Sequence, residues 1–308
     1  MMKTNKKPWL SYISFILLVV LLDILVGQVM RYFYFKQKSG YSYRTTYSID
    51  STNQAGLVFG SSRANHHYDI SLLRDSLQMS FYNVGRDGQS ILYDYAILQA
   101  TLKRYTPKMI ILDYQDEEFI YFSHSYDRLS NLLPYVKSHR ELLETVRLRG
   151  RFENLKMLSS TYPYNSLFFN ILGGIRGGAP GNEDEKNGYL PLNVPFTPHG
   201  VDRNKFLSNR PIDTVKVNAF VDFARLCQAR KIELYLVMSP YFEPVNDRYT
   251  QPIDSVISSL QVKHFDYSHF DKVKGNTSYF ADEAHLNAKG ADLFTRDLIV
   301  QIKAAEKK

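Results

Sequence analysis

Asp282-Glu283-Ala284-His285 sets a carboxylate three residues before a histidine. Ser62 stands far upstream, at the end of the run Leu57-Val58-Phe59-Gly60-Ser61-Ser62-Arg63. Serine, histidine and aspartate are the three parts of an activated nucleophile. A neutral imidazole takes the hydroxyl proton and hands it to the leaving group, while a carboxylate orients the ring through its other nitrogen. A turn before a helix lets Asp282 reach back to His285, and Asn287 and Gly290 start that helix. Ser62 lies at a strand-to-helix turn, where a helix N-terminus favours negative charge. Gly60 lets that turn be tight, and Ser61 is the competing nucleophile beside it. Gly88, in Asn83-Val84-Gly85-Arg86-Asp87-Gly88, offers a backbone N–H with no side chain in front of it, which is what an oxyanion hole requires.

Each signal has a plainer reading. Gly-Ser-Ser alone is a cap or an anion site, and N-x-G-x-x-G alone is an ordinary loop. A second D-x-x-H, Asp266 to His269, falls within or just after an expected strand, where residues three apart point to opposite faces. The downstream pair is therefore preferred. His66 and His67 read as surface or packing residues, and Asp116-Glu117-Glu118 as a solvated acidic run.

Positioning these groups falls to alternating elements. Short apolar strands are expected at 57–59, 81–84, 108–113, 232–238 and 264–267. Ile91, Tyr95, Leu98 and Leu102 form a helical stripe, as do Val217, Phe220, Val221, Ala224 and Cys227 behind an Asp213 cap. A further helix is expected near 249–260, and the last one runs from about Asn287 with Ala291, Phe294, Leu298 and Ile302 on one face. Strands alternating with helices imply a parallel sheet covered on both sides, with ligands outside the carboxyl ends of its strands. The rhythm breaks between about 118 and 210. There, helices at 127–136, 139–149 and 153–161 precede a stretch rich in Gly and Pro that includes Gly173, Gly177, Gly178, Pro180 and Gly181. This insertion either shapes the substrate cleft or elaborates the surface.

Trp9 to Met30 is apolar except for Asp23, long enough for a membrane-spanning helix and too long for a signal-peptide core. We read 1–38 as a cytoplasmic tail and uncleaved signal anchor, 39–54 as a polar, aromatic stalk, and 55–304 as one α/β domain. Asp23 is expected at the membrane interface or facing a partner helix. Lysines precede the span and basic residues follow it, so charge alone leaves orientation undecided. An exported domain is the commoner arrangement. The net charge is +7, of which residues 1–38 carry +5. That excess suits anionic headgroups and argues against nucleic-acid binding by the domain. Cys227 is the single cysteine, so neither an internal disulfide nor a Cys-based zinc site is available.

Taken together, Gly60-Ser61-Ser62, Asn83-x-Gly85-x-x-Gly88 and Asp282-x-x-His285-Leu286-Asn287-x-x-Gly290 resemble the SGNH/GDSL hydrolases over about 55–304, outside the insertion. The resemblance implies a flavodoxin-like three-layer α/β/α sandwich and acyl-ester cleavage or transfer, often of acetyl groups on carbohydrates, with no metal or organic cofactor. It assigns the nucleophile to Ser62, the triad partners to Asp282 and His285, and oxyanion donors to Gly88 and the Ser62 N–H. Two positions depart from the family pattern. The usual Gly-Asp-Ser is Gly60-Ser61-Ser62, a substitution that resembles the membrane-anchored, envelope-modifying branch of the family, including proteins similar to the D-alanine transfer protein of teichoic acid synthesis. The usual Gly-x-Asn-Asp aligns with Asp113-Tyr114-Gln115-Asp116, which makes Gln115 the third donor with a side chain one methylene longer.

The sequence thus points to a membrane-anchored, extracytoplasmic serine esterase or acyltransferase acting on an acylated carbohydrate or bacterial cell-envelope polymer. Hydrolysis and transfer share one acyl-enzyme and stay open. Two other readings remain. One is an accessory protein working beside a multi-spanning membrane acyltransferase, and the other is a glycan-binding relic with an incomplete oxyanion hole.

Overall fold

The computed structural model describes residues 8–175, 187–198, 200, 210–243 and 254–307. Five parallel strands make one sheet: β1 (Gly56–Phe59), β2 (Phe81–Asn83), β3 (Met109–Asp113), β4 (Glu233–Met238) and β5 (Lys263–Asp266), in the order β2-β1-β3-β4-β5. This is the flavodoxin-like doubly wound order. Its direction reverses at β1, so a crevice opens at the carboxyl end of that strand.

The period of two along each strand feeds two cores. Leu57, Phe59, Ile110, Leu112, Leu234, Leu236 and Met238 face one side, where α5 (Ile91–Thr101) and the Thr214–Ala229 helix pack. Val58, Met109, Ile111, Tyr235 and Val237 face the other, against α3 (Ser62–His67), α4 (Ile70–Leu77) and the C-terminal Ala288–Glu306 helix. Caps fall where the sequence places them. Asp213 accepts from the N–H groups of Val215 and Lys216, and Asn287 from those of Lys289 and Gly290. Of the helix expected near 249–260, residues 254–259 are helical, and 249–253 lie outside the described residues.

The segment read as a stalk is not one. Residues Gly40–Asp50 form a helix, α2, that buries Ser42, Arg44, Thr45, Ser48 and Ile49 on the domain. Its polarity misled because the buried polar groups find partners. The Arg44 guanidinium donates to the Gly85 and Gly188 carbonyls at 3.1 and 2.6 Å. The helix before it, α1 (Pro8–Phe35), is apolar enough from Trp9 to Phe35 to cross a membrane, with a mean hydropathy of 2.5. Its far end enters the domain core through Met30 and Tyr34. Asp23 has its partners within this chain: its carboxylate accepts from Ser159, Ser160 and Thr161.

As far as Ile175 the insertion is a run of short helices, several of them 3-10: Arg128–Tyr135, Arg140–Leu142 leading into Leu143–Arg147, Glu153–Lys156, Tyr162–Leu167 and Phe168–Ile175. The expected helix over 153–161 stops at Lys156. Leu129, Leu132, Leu142, Val146 and Leu167 extend the α5-side core. Gly177, Gly178, Pro180 and Gly181 lie outside the described residues.

Candidate active site

Gly60 ends β1 with φ +136°, in the region that favours glycine. A Cβ there would stand 2.6 Å from the Asp113 carbonyl oxygen on the neighbouring strand. That close approach turns the chain sharply into α3, whose first residue is Ser62. A first-turn residue has no intrahelical acceptor for its N–H, so the Ser62 amide is open to an incoming oxyanion.

The Ser62 hydroxyl lies 2.8 Å from His285 Nε2. The His285 Nδ1 lies 2.9 and 2.8 Å from the two Asp282 carboxylate oxygens, and Asp282 also accepts the Ala284 and His285 N–H groups at 2.8 Å each. These bonds define the tautomer. An ionised carboxylate only accepts, so Nδ1 carries the proton and Nε2 is left to accept from Ser62. Partial burial works to raise the Asp282 pKa, but the hydrogen bonds from the His285 ring and the two amides outweigh it and hold the group at about 2. Ser62, His285 and Asp282 are all partly exposed, so the trio opens to solvent.

His66 and His67 are not surface groups. His67 is fully buried, with Nδ1 2.9 Å from the Ser239 hydroxyl and Nε2 accepting the Leu286 N–H at 3.0 Å. Burial, together with the nearby Arg63 charge, pushes its pKa well below the ordinary histidine value and keeps it neutral. His66 meets the Leu190 carbonyl through Nδ1 at 2.6 Å, and its ring packs edge-on to His285 at 5.6 Å between centroids. The insertion therefore does reach the site. Residues 187–198 run beside α3 and the His285 loop through Leu190 N–H to Asn65 O, Ala288 N–H to Leu192 O and Thr197 N–H to Ala281 O.

Behind the serine, Arg63 is wholly buried. It donates to Ser239, lies 3.9 Å from Asp113 and stacks over Tyr241 at 3.6 Å. Asp113 also takes the Tyr68 hydroxyl at 2.7 Å. Burial raises the Asp113 pKa, an effect that Arg63 and Tyr68 offset only in part.

The N-x-G sequence has a mechanical role. The Asn83 side chain donates to the Ala64 carbonyl at 2.7 Å and accepts the Gly85 N–H at 2.9 Å, which ties the β2 loop to the nucleophile helix. Asn65 adds a second tie to Asp87 at 2.8 Å and is itself held by Arg44 of α2 at 2.6 Å. Gly88 is exposed, with φ +65°, and the Arg128 guanidinium occupies the space its Cβ would take. Arg128 also donates to the Asp87 carbonyl at 3.0 Å. Nothing local in the sequence marks Arg128, which is 40 residues from Gly88. Gln115 lies two residues past β3, half-buried, with its carbonyl accepting the Glu118 N–H at 3.0 Å.

Glu118 corrects the reading of the acidic run as solvated. It is buried and accepts the Ile91 N–H at 2.9 Å, capping α5. Burial raises its pKa to about 7 despite the nearby Lys216. At the other D-x-x-H, Asp266 accepts the Ser268 N–H at 2.8 Å and His269 is exposed. A groove of about 700 Å³ is lined by Leu192, Phe196, Ser278 and Lys289 among others, and neither Ser62 nor His285 lines it. Among the described residues no group of three or more His, Cys, Asp or Glu side chains is arranged to hold a metal ion.

No family model matches the chain, and no curated protein matches it in sequence. Solved structures do. A provisionally assigned acylhydrolase from Bacteroides fragilis aligns at 11% identity and a TM-score of 0.39, covering 87% of this chain and 99% of its own. A provisionally assigned GDSL-like lipase from Parabacteroides merdae aligns at 10% identity and 0.38, covering 80% and 95%. A GDSL-like lipase from Bacteroides thetaiotaomicron aligns at 10% and 0.34, covering 80% and 89%.

Proposed function

We propose that this chain is a serine esterase or acyltransferase of SGNH type. On this reading it is anchored in a bacterial membrane by α1, with its domain outside the cytoplasm, and acts on acyl esters, acetyl foremost, of a glycan or other envelope polymer. The observation that carries the reading is the 2.8 Å approach of the Ser62 hydroxyl to His285 Nε2, with Asp282 on the opposite ring nitrogen.

Ser62 Oγ attacks the acyl carbonyl as its proton passes to His285 Nε2. Asp282 keeps its negative charge and stabilises the imidazolium. The oxyanion of the tetrahedral intermediate meets the N–H groups of Ser62 and Gly88, with Gln115 as third donor. Collapse expels the sugar oxygen, which takes the proton from Nε2. Water then attacks the acyl-Ser62 carbonyl in hydrolysis, or a sugar hydroxyl does so in transfer, with His285 again as base. No metal or organic cofactor enters these steps.

The accessory reading, in which a multi-spanning membrane acyltransferase supplies the chemistry, rests on the anchor and on Asp23. With Asp23 held by this chain's own Ser159–Thr161 segment, the Asp23 part of that support falls away. A fluorophosphonate probe and an acetyl-ester release assay on wild type, Ser62→Ala and His285→Ala test the proposal. Labelling and turnover should be present in the wild type and lost in both variants.

A further inference from the structure

α1 carries its own depth scale. Trp9 and Tyr32, both exposed, flank its apolar face. At 1.5 Å per residue they stand about 34 Å apart, close to the ~30 Å hydrocarbon core with an aromatic at each interface. Asp23 then lies about 13 Å below the Tyr32 end, well inside the apolar layer.

At that depth the helix meets the insertion. The Asp23 carboxylate accepts four hydrogen bonds: Ser159 Oγ at 2.7 Å, Ser160 N–H at 2.6 Å, Thr161 N–H at 3.2 Å and Thr161 Oγ1 at 2.6 Å. One turn on, Gly27 lets the loop close on the helix, since a Cβ there would stand 2.6 Å from the Ser160 backbone. On either side of this loop, Phe152, Leu155, Leu158, Phe168 and Phe169 are exposed, Leu158 at 79% and Phe169 at 83%, with the Arg151 guanidinium over the Phe152 ring.

We propose that residues 152–169 form a shoulder that sits in the lipid beside α1, in the leaflet next to the domain, with those five side chains among the acyl chains. The proposal rests on the reading of α1 as a membrane span. It accounts for an acid within that span. Backbone N–H groups of a loop in hydrocarbon need an internal acceptor, and Asp23 supplies one to Ser160 and Thr161 while four donors neutralise the cost of its own burial. Lipid is favoured over a protein occupant because the loop is latched to the Asp23 face of α1, and Ile16, Val19 and Val20, three to seven residues before Asp23 on that same helical face, are exposed apolar side chains. The consequence is mechanical. The domain is fixed to the bilayer at two points, so the height of Ser62 above the membrane is set and substrate must come to that height.

The test uses the full chain in vesicles of phosphatidylethanolamine and phosphatidylglycerol, with and without mid-chain brominated acyl chains. Cys227 is replaced by alanine, and an environment-sensitive fluorophore is placed at Leu158→Cys, Phe169→Cys, Leu17→Cys in the span or Lys289→Cys on the domain. Labels at 158 and 169 should be quenched by bromolipid at least twofold, like that at 17, and the label at 289 should not. In Asp23→Leu the labels at 158 and 169 should lose that quenching while 17 keeps it. Water-like emission at 158 and 169 with lipid quenching at 17 overturns the shoulder and leaves the anchor standing. Apolar emission without lipid quenching at 158 and 169 overturns it in favour of a protein occupant. Water-like emission at 17 as well means that the anchor reading itself has failed. Unchanged quenching in Asp23→Leu refutes the latch.

Discussion

The Leu286 backbone N–H donates to Nε2 of the fully buried His67 at 3.0 Å, so a neutral imidazole holds the residue next to His285 in place. His67 in turn stands on Ser239, the residue that also anchors Arg63 behind the nucleophile. The histidine proposed as base therefore rests on a second histidine that touches no reacting atom.

That relationship sets a prediction for a positioning residue. His67→Ala should lower kcat at least tenfold with KM within about twofold, and His67→Gln, which retains an acceptor, should recover part of the loss. The pH dependence follows from the depressed pKa of His67. Above the ordinary value of 6.5 the group is neutral folded or unfolded. As pH falls through 6.5 the unfolded chain takes up a proton that the folded chain refuses, and stability declines. On going from pH 7.5 to 5.5 the urea midpoint of wild type should fall relative to that of His67→Gln, whatever the other groups common to both contribute.

Glu118 titrates with the opposite sense. Its folded pKa of about 7 exceeds the ordinary 4.5, so the folded chain keeps a proton that the unfolded chain releases. The stability this contributes is full below about 4.5 and is lost as pH rises through about 7, a change on the order of 3 kcal/mol at most. Glu118→Gln, measured by denaturant unfolding at pH 5 and 8, should remove most of that difference. Equal pH dependence in variant and wild type would refute the assignment.

Asp282→Asn should lower kcat by about 10⁴-fold, because an amide can leave the His285 proton on the wrong nitrogen. Substrate binding should change little. The check is steady-state kinetics on an acetyl ester, with intact folding verified by circular dichroism. A loss below tenfold would show that Asp282 is only a turn cap for Ala284 and His285.

Gln115→Ala should cost about 10²-fold in kcat if the amide is the third oxyanion donor. Gln115→Asn should retain more activity than the alanine variant. Equal rates in all three proteins would mean that the Ser62 and Gly88 amides make the hole alone.

Much of this was legible in the sequence because it is local. The strands were visible because runs such as Met109–Asp113 are buried on both faces. Asp213 and Asn287 cap within their own first turns, and the Asp282–His285 contact spans three residues. What was hidden depends on distant partners. α2 looked like a stalk because nothing near Arg44 announces that the carbonyls of Gly85 and Gly188 will receive it. Glu118 looked solvated because the N-terminus of α5 that it caps lies 27 residues away. Asp23 had no visible partner, since its donors follow 136 to 138 residues later. Arg128 over Gly88 and His67 under Leu286 are of the same kind.

The central claim is that Ser62 is a nucleophile activated by His285. Active-site labelling of the purified full chain with a fluorophosphonate, followed by mass-spectrometric location of the adduct, tests it most directly. The adduct is expected on Ser62 in wild type and absent from Ser62→Ala and His285→Ala. Labelling on Ser61, labelling that survives Ser62→Ala, or an unreactive wild type would contradict it.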